Sequence, residues 1–286
     1  MLISNSSKKQ IDLFLKNPGN SLIIESTAQE SGLEITYDLI KKLLGLSENY
    51  DLDKYDYFYK VQKSKTNTVT IEDIRELIKK LNLKSLNNKA INRVCLITDS
   101  ELMSEESQNS ILKLLEEPPK DTVIILLTKT VNSLKPTILS RSAVIKLAKP
   151  SYDEFTKYYS NNKLGEDSKN KYDLTDGNSD YFNKYIDQTI DLSNDHDVLL
   201  IKNFLSANKL DRLLMINDFC SNSLIFENLI FTLRNIIKIG LNNSIQKNNN
   251  QTKMWISYLK AIEMTENGFK NLVNRKLLFT NLCLNM

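Results

Sequence analysis

Two acids stand where a helix end favours cations. In "NSILKLLEEPPKDTVIILLT" (109–128) a helical pattern runs into Glu116 and Glu117, then Pro118 and Pro119, then an apolar strand. Ser104 is placed to cap the start of that helix, Glu105 and Glu106 suit its first turn, and Ile111, Leu112 and Leu115 form its buried stripe. The prolines disfavour helical geometry just before them, so the helix must stop near Glu117. Each exposed acid there meets the negative end of the helix dipole, at about 0.3–1 kcal/mol. Conflicts of this kind gather at functional or strained sites. Partner cations and local backbone donors are both able to offset the charge.

Phosphate chemistry is the next possibility, because apolar strands are followed by polar turns. A phosphate-binding loop of the G-x-x-x-x-G-K-[S/T] type needs glycines to wrap the anion, a Lys, and a Ser or Thr for Mg²⁺. After "SLII" the chain reads "ESTAQESGLE", with one glycine, Gly32, no lysine, and the acids Glu25, Glu30, Glu34 and then Asp38. The strand "VCLIT" ends on Thr98, followed by Asp99. That is the outline of a Walker B strand with its metal-binding acid displaced. No bound nucleotide, other cofactor or metal ion is expected.

Other chemistries lack their parts. The single histidine, His196, lies in "SNDHDV" and cannot supply a Ser-His-Asp, Cys-His or HExxH site. Cys95, Cys220 and Cys283 form no CxxC pair, which removes a cysteine-rich zinc module and fits a reducing compartment. A net charge of +3 leaves nucleic-acid contact to a local patch; the Lys8–Lys9, Lys41–Lys42 and Lys79–Lys80 pairs could touch phosphates, although paired lysines usually face solvent. The start "MLISNSSKKQ" has no apolar core, and no long apolar run follows, so a cytoplasmic chain without a membrane span is expected.

The elements that must position these residues are legible. With 286 residues and 41% hydrophobic content, the chain can build two or three compact domains. All five prolines fall within the first 150 residues, where "SLIIE" (21–25), "YDYFYKV" (55–61), "RVCLIT" (93–98), "TVIILLT" (122–128) and "SAVIKL" (142–147) alternate with helical patterns. That alternation predicts a parallel α/β sheet covered on both faces. "TIEDIRELIKKL" predicts a helix capped by Thr70, with Ile71, Ile74, Leu77, Ile78 and Leu81 on one stripe. A polar segment follows Pro150, and proline-free helices follow from about residue 192. The apolar stripe Leu224, Ile225, Leu229, Ile230 and Leu233 suits domain core and oligomer interface equally.

The string "MSEESQNSILKLLEEPPKDTVIILLT", followed by "LKPTILSRSAVIKL", resembles the clamp-loader subunits of bacterial DNA polymerase III. "TVTIEDIREL" matches an upstream helix of that family; "LTDGNSDYF" and "NRKLLFTNLCLNM" resemble its lid and C-terminal segments more loosely. The family's Ser-Arg-Cys segment here reads Ser140-Arg141-Ser142, and a four-cysteine zinc module common in the family is absent. The resemblance implies an AAA+ (P-loop NTPase-like) α/β domain with a degenerate nucleotide site over 1–150, a reduced helical lid over 151–191, and an α-helical collar over 192–286.

Within that family the missing phosphate loop fits the delta-prime branch, a non-hydrolysing assembly subunit. The resemblance then makes Arg141 an arginine finger acting in trans on ATP held by an adjacent subunit. Ser140, Ser142, Glu116, Glu117, Pro118 and Pro119 become an interface, Thr98 and Asp99 a degenerate Walker B, and Thr128 the sensor-1 position. The implied partners are gamma/tau ATPase subunits and a delta subunit, with the sliding clamp contacted indirectly and primer-template DNA met inside the assembled complex. Rival readings are an ATP-hydrolysing clamp-loader-like AAA+ ATPase, a degenerate AAA+ scaffold outside replication, and a direct DNA-binding module.

Overall fold

The computed structural model describes residues 2–63, 68–81, 90–159, 168–186, 195–247, 250–270 and 273–286. The chain divides into two compact units, Met1–Asn161 and Asn162–Met286.

The first unit runs α1 (Asn5–Lys16), β1 (Ser21–Glu25), α2 (Gln29–Leu44), β2 (Phe58–Val61), α3 (Ile71–Leu81), β3 (Arg93–Ile97), α4 (Glu105–Glu116), β4 (Thr122–Thr128), α5 (Pro136–Leu139), β5 (Ala143–Lys146) and α6 (Tyr152–Tyr159). The strands form one parallel sheet in the order β2-β3-β4-β1-β5. Successive side chains on a strand point to opposite faces. Ile23, Cys95, Ile97, Ile124 and Leu126 pack on one face against Ile74, Leu77, Ile111, Leu115 and Ile138 from α3, α4 and α5. Leu22, Ile24, Val94, Leu96, Val123 and Ile125 pack on the other against Ile11, Phe14, Ile35, Leu39 and Leu44 from α1 and α2. The middle residues of the central strands are apolar because both faces are covered.

The helix starts obey the local signals. Thr70 Oγ1 accepts from the Asp73 N–H at 3.3 Å while the Asp73 carboxylate accepts from the Thr70 N–H at 2.8 Å, a capping box. Ser104 Oγ accepts from the Ser107 N–H at 3.1 Å at the start of α4. The strand expected over 55–61 is shorter. Leu52–Lys54 form a 3₁₀ turn, Tyr55 packs edge-on against Tyr50 and Tyr57, and pairing begins only at Phe58. Tyr55 and Tyr57 pack their rings ahead of the ladder, which Tyr59 joins opposite Cys95.

The second unit is helical: α7 (Ser168–Leu174), α8 (Ser179–Ile186), α9 (His196–Ser206), α10 (Lys209–Leu214), α11 (Ile216–Cys220), α12 (Ser223–Gln246), α13 (Thr252–Lys270) and α14 (Arg275–Asn285). Phe204, Phe219 and Phe279 stack at centroid distances of 4.8–5.8 Å and join α9, α11 and α14. Buried Arg212 on α10 donates to the Phe204 and Leu205 carbonyls, near the end of α9. Leu229, Ile230 and Leu233 are core, Ile225 is exposed, and the side chain of Leu224 lies outside the described residues, as does the chain around the expected boundary at 191/192.

Candidate functional site

Two places in the first unit carry chemistry, and they lie at opposite ends of the sheet. The strands are parallel, so all their C-terminal ends share one edge, where open α/β sheets hold ligands. A cavity of about 270 Å³ lies there, lined by Ser26, Gln29, Glu30, Leu33, Lys60, Gln62, Lys63, Thr98, Asp99, Glu101, Leu127, Thr128 and Lys129.

Only Ser26, Thr27 and Ala28 connect β1 to α2, which is far too little chain for a phosphate-wrapping loop. Ser26 Oγ donates to the Ala28 carbonyl at 2.6 Å and closes that turn. Gly32 does not face a ligand loop. A Cβ there would come within 2.6 Å of the Ser26 side chain, so glycine permits the close approach of α2 to the strand end. Thr98 and Asp99 do follow β3 as expected. Thr98 Oγ1 reaches Asp99 Oδ2 at 3.2 Å, and Asp99, left-handed at φ 50°, lies 3.9 Å from Lys63 Nζ. Thr128 Oγ1 donates to the Thr130 carbonyl at 2.9 Å and accepts from the Thr130 N–H at 3.2 Å, a local turn.

Two of the four acids that follow "SLII" are held in local pairs. Glu25 accepts from the Val131 N–H at 2.9 Å and pairs with Lys146 at 3.1 Å, and Asp38 pairs with Lys42 at 2.6 Å. Lys60, Lys63 and Lys129 bring cations from the ends of β2 and β4. None of the three lies in the loop after β1, whereas the cavity gathers four strand ends. Loop length, not charge, is the stronger obstacle to a triphosphate.

The other place is a corner at the N-terminal ends of the strands. Leu22 is in register with Ala143, so Arg141, two residues earlier, stands at the start of β5 beside the start of β1. Five strand residues at about 3.3 Å each put roughly 15 Å of sheet between this corner and the cavity. Pro136 occupies the first turn of α5, and the Arg141 N–H bonds the Ile138 carbonyl at 3.1 Å in the tight turn that follows. Arg141 Nη1 donates to the Thr137 carbonyl at 2.9 Å and to Ser140 Oγ at 3.2 Å, and Nη2 lies 2.8 Å from Glu116 Oε1. Ser142 Oγ meets Ser21 Oγ at 2.7 Å and ties the corner to β1. The Glu117 N–H bonds the Lys113 carbonyl at 3.1 Å, and the Thr122 N–H bonds the Pro119 carbonyl at 3.0 Å; Pro118 lies between them, half-buried. Among the described residues Glu117 has no ion-pair partner. The unfavourable acid at the end of α4 is therefore offset, for Glu116, by Arg141, a residue 25 positions later.

Nothing at either place is a nucleophilic thiol. Burial drives the Cys95 thiol far up from its ordinary pKa and the Cys283 thiol up to about 11. No group of residues able to hold a metal ion occurs among the described residues, and no described helix is long and apolar enough to cross a membrane.

Residues 46–151, which contain both the Glu116 helix end and Arg141, match the family model described as "DNA polymerase III, delta subunit". That segment is similar to the DNA polymerase III delta-subunit family. The chain is 34% identical over 95 residues to DNA polymerase III subunit delta' of Escherichia coli (strain K12), which covers 33% of this chain and 28% of the relative. It is 38% identical over 77 residues to the gamma subunit of Buchnera aphidicola subsp. Schizaphis graminum, covering 27% of this chain and 21% of the relative. The chain thus spans about a quarter of the length of these curated relatives. A gamma subunit-related protein of Thermotoga maritima shares the fold, with a TM-score of 0.52 at 18% identity over 98% of each chain. The two thus share a fold, and part of this chain has both delta'-like and gamma-like relatives. The cavity lies at the C-terminal edge of the sheet, and Arg141 at the N-terminal edge.

Proposed function

We propose that this chain acts as a non-hydrolysing, delta-prime-type subunit of the clamp loader and supplies Arg141 in trans to ATP held by a neighbouring ATPase subunit. One observation carries the reading: an accessible arginine stands at the sheet edge opposite a nucleotide cavity whose connecting loop is reduced to Ser26–Ala28. Across that distance Arg141 cannot serve its own cavity, so its phosphoryl partner must belong to another chain.

The chemistry follows from the guanidinium. During hydrolysis water attacks the γ-phosphorus, the bond to the ADP oxygen breaks, and negative charge spreads over the transferring group. A planar, permanently charged fork placed against those oxygens stabilises that charge more than the ground state. Ser140, Ser142, Glu116, Glu117, Pro118 and Pro119 form the subunit-facing corner around it. Thr98, Asp99 and Thr128 keep the positions of a Walker B and a sensor without a ligand of their own. The partners are gamma/tau and delta subunits, with the sliding clamp and primer-template DNA engaged through the complex, in the cytoplasm. Residues 151–191 serve as a reduced lid and 192–286 as the collar.

Reconstitution with the gamma/tau and delta subunits tests this reading. Arg141→Ala leaves the complex assembled and slows DNA-stimulated ATP hydrolysis; lost assembly with normal turnover per complex would refute the finger. A second reading, an ATP-hydrolysing subunit, is favoured by the gamma relatives and by the three lysines at the cavity. Tight Mg²⁺-dependent binding of labelled ATP to the isolated chain would establish it.

A further inference from the structure

Glu116 holds the finger's free edge. Arg141 Nη1 is engaged by the Thr137 carbonyl and Ser140 Oγ of its own turn, and Nη2 by the Glu116 carboxylate. Both guanidinium nitrogens that would grip a phosphoryl group are therefore occupied within the chain. The helix backbone that carries Glu116 is fixed. Ile111, Leu114 and Leu115 bury α4, Ser104 caps its start, and Pro118 and Pro119 fix where it ends. An acid at that helix end is disfavoured by the dipole, so helix propensity gives no reason for it. A carboxylate at 2.8 Å is also a chemical mimic of the phosphate oxygen the finger is to meet, since both accept charge-assisted hydrogen bonds from the same fork.

We propose that Glu116 is a positioning residue that holds Arg141 in an idle geometry and competes with the neighbouring γ-phosphoryl group for it. This rests on the trans-finger reading. The finger engages ATP only when assembly with clamp and DNA makes the phosphate the better acceptor. The side chains are 35% and 49% exposed for Arg141 and Glu116, so the latch is weak and its effect on rate is modest. An exposed pair of this kind corresponds to about a two- to fivefold bias.

The test uses the reconstituted loader with wild type, Glu116→Gln, Arg141→Ala and the double variant, assayed with and without clamp and DNA. Glu116→Gln keeps the shape and removes the charge. Glu116→Ala serves as a second variant, and melting curves confirm folding. The proposal expects Glu116→Gln to raise unstimulated ATP turnover about two- to fivefold relative to the stimulated rate. The double variant should then match Arg141→Ala alone. A merely structural Glu116 would not change the ratio of the two rates. If Glu116→Gln leaves the unstimulated-to-stimulated ratio unchanged or lowers it while Arg141→Ala is slow, the latch is overturned and the finger stands. If Arg141→Ala turns over normally under both conditions, the finger reading falls and the latch with it.

Discussion

The two ends of one sheet have opposite fates. At the C-terminal end, the polar groups are turned inward: Ser26 closes a three-residue turn, Thr128 bonds its own turn, and Asp99 sits near Lys63. At the N-terminal end, α5 and its tight turn hold Arg141 partly exposed, restrained by a single carboxylate. The scaffold between them is the same, with buried central strands and helices on both faces. A three-residue turn at one end and the Arg141 corner at the other are compatible with one scaffold, because the two are joined through a shared core.

The largest expected effect sharpens that contrast. In the assembled loader, Arg141→Lys should fail almost as badly as Arg141→Ala, each lowering turnover at the adjoining site by a factor on the order of 10³, because an ammonium lacks the planar fork. Single-turnover ATP hydrolysis reads this out, and a Lys variant close to wild type would break the account of the corner. The shared scaffold comes next. Ile124 is fully buried in the central strand β4, so Ile124→Ala should destabilise the first unit by about 2–5 kcal/mol in urea unfolding. Ser142→Ala removes the Ser21 hydroxyl contact between β5 and β1 and should cost about 1 kcal/mol, with a lower rate only in the loader assay if the turn shifts.

The smallest effect is pH-linked and involves neither end. Glu154 on α6 accepts from the Asn5 and Ser151 N–H groups at 2.7 Å, and these bonds, the Asn5 one first, hold its carboxyl below the usual range. A depressed carboxylate contributes stability above the unfolded value of about 4.3 and loses it as pH falls through the lower folded value. Glu154→Gln should therefore be less stable by under about 1 kcal/mol at pH 7, and the gap should close in acid. Urea midpoints across pH check this; a gap that persists at pH 2 would place the effect in packing.

Much of the scaffold was legible in sequence because it follows from local rules. The caps at Thr70 and Ser104, the stop at Pro118 and the apolar strands each need only a few adjacent residues. What escaped depends on chain segments meeting from far apart. Glu116 and Arg141 pair through the packing of α4 beside α5, which no spacing rule encodes. Lys60, Lys63 and Lys129 converge only once the strand order is known. The shortened β2 escaped for another reason: Tyr55 and Tyr57, which pack ring on ring, continue the alternation of the strand that starts at Phe58.

The most direct test is a structure of the reconstituted loader with a non-hydrolysable ATP analogue and Mg²⁺. The account predicts an empty cavity beside Ser26 and Thr128, with the Arg141 guanidinium moved off Glu116 and within hydrogen-bond reach of a γ-phosphate bound to the adjoining subunit. Analogue seated in this chain's own cavity, or residue 141 far from every bound phosphate, would contradict it.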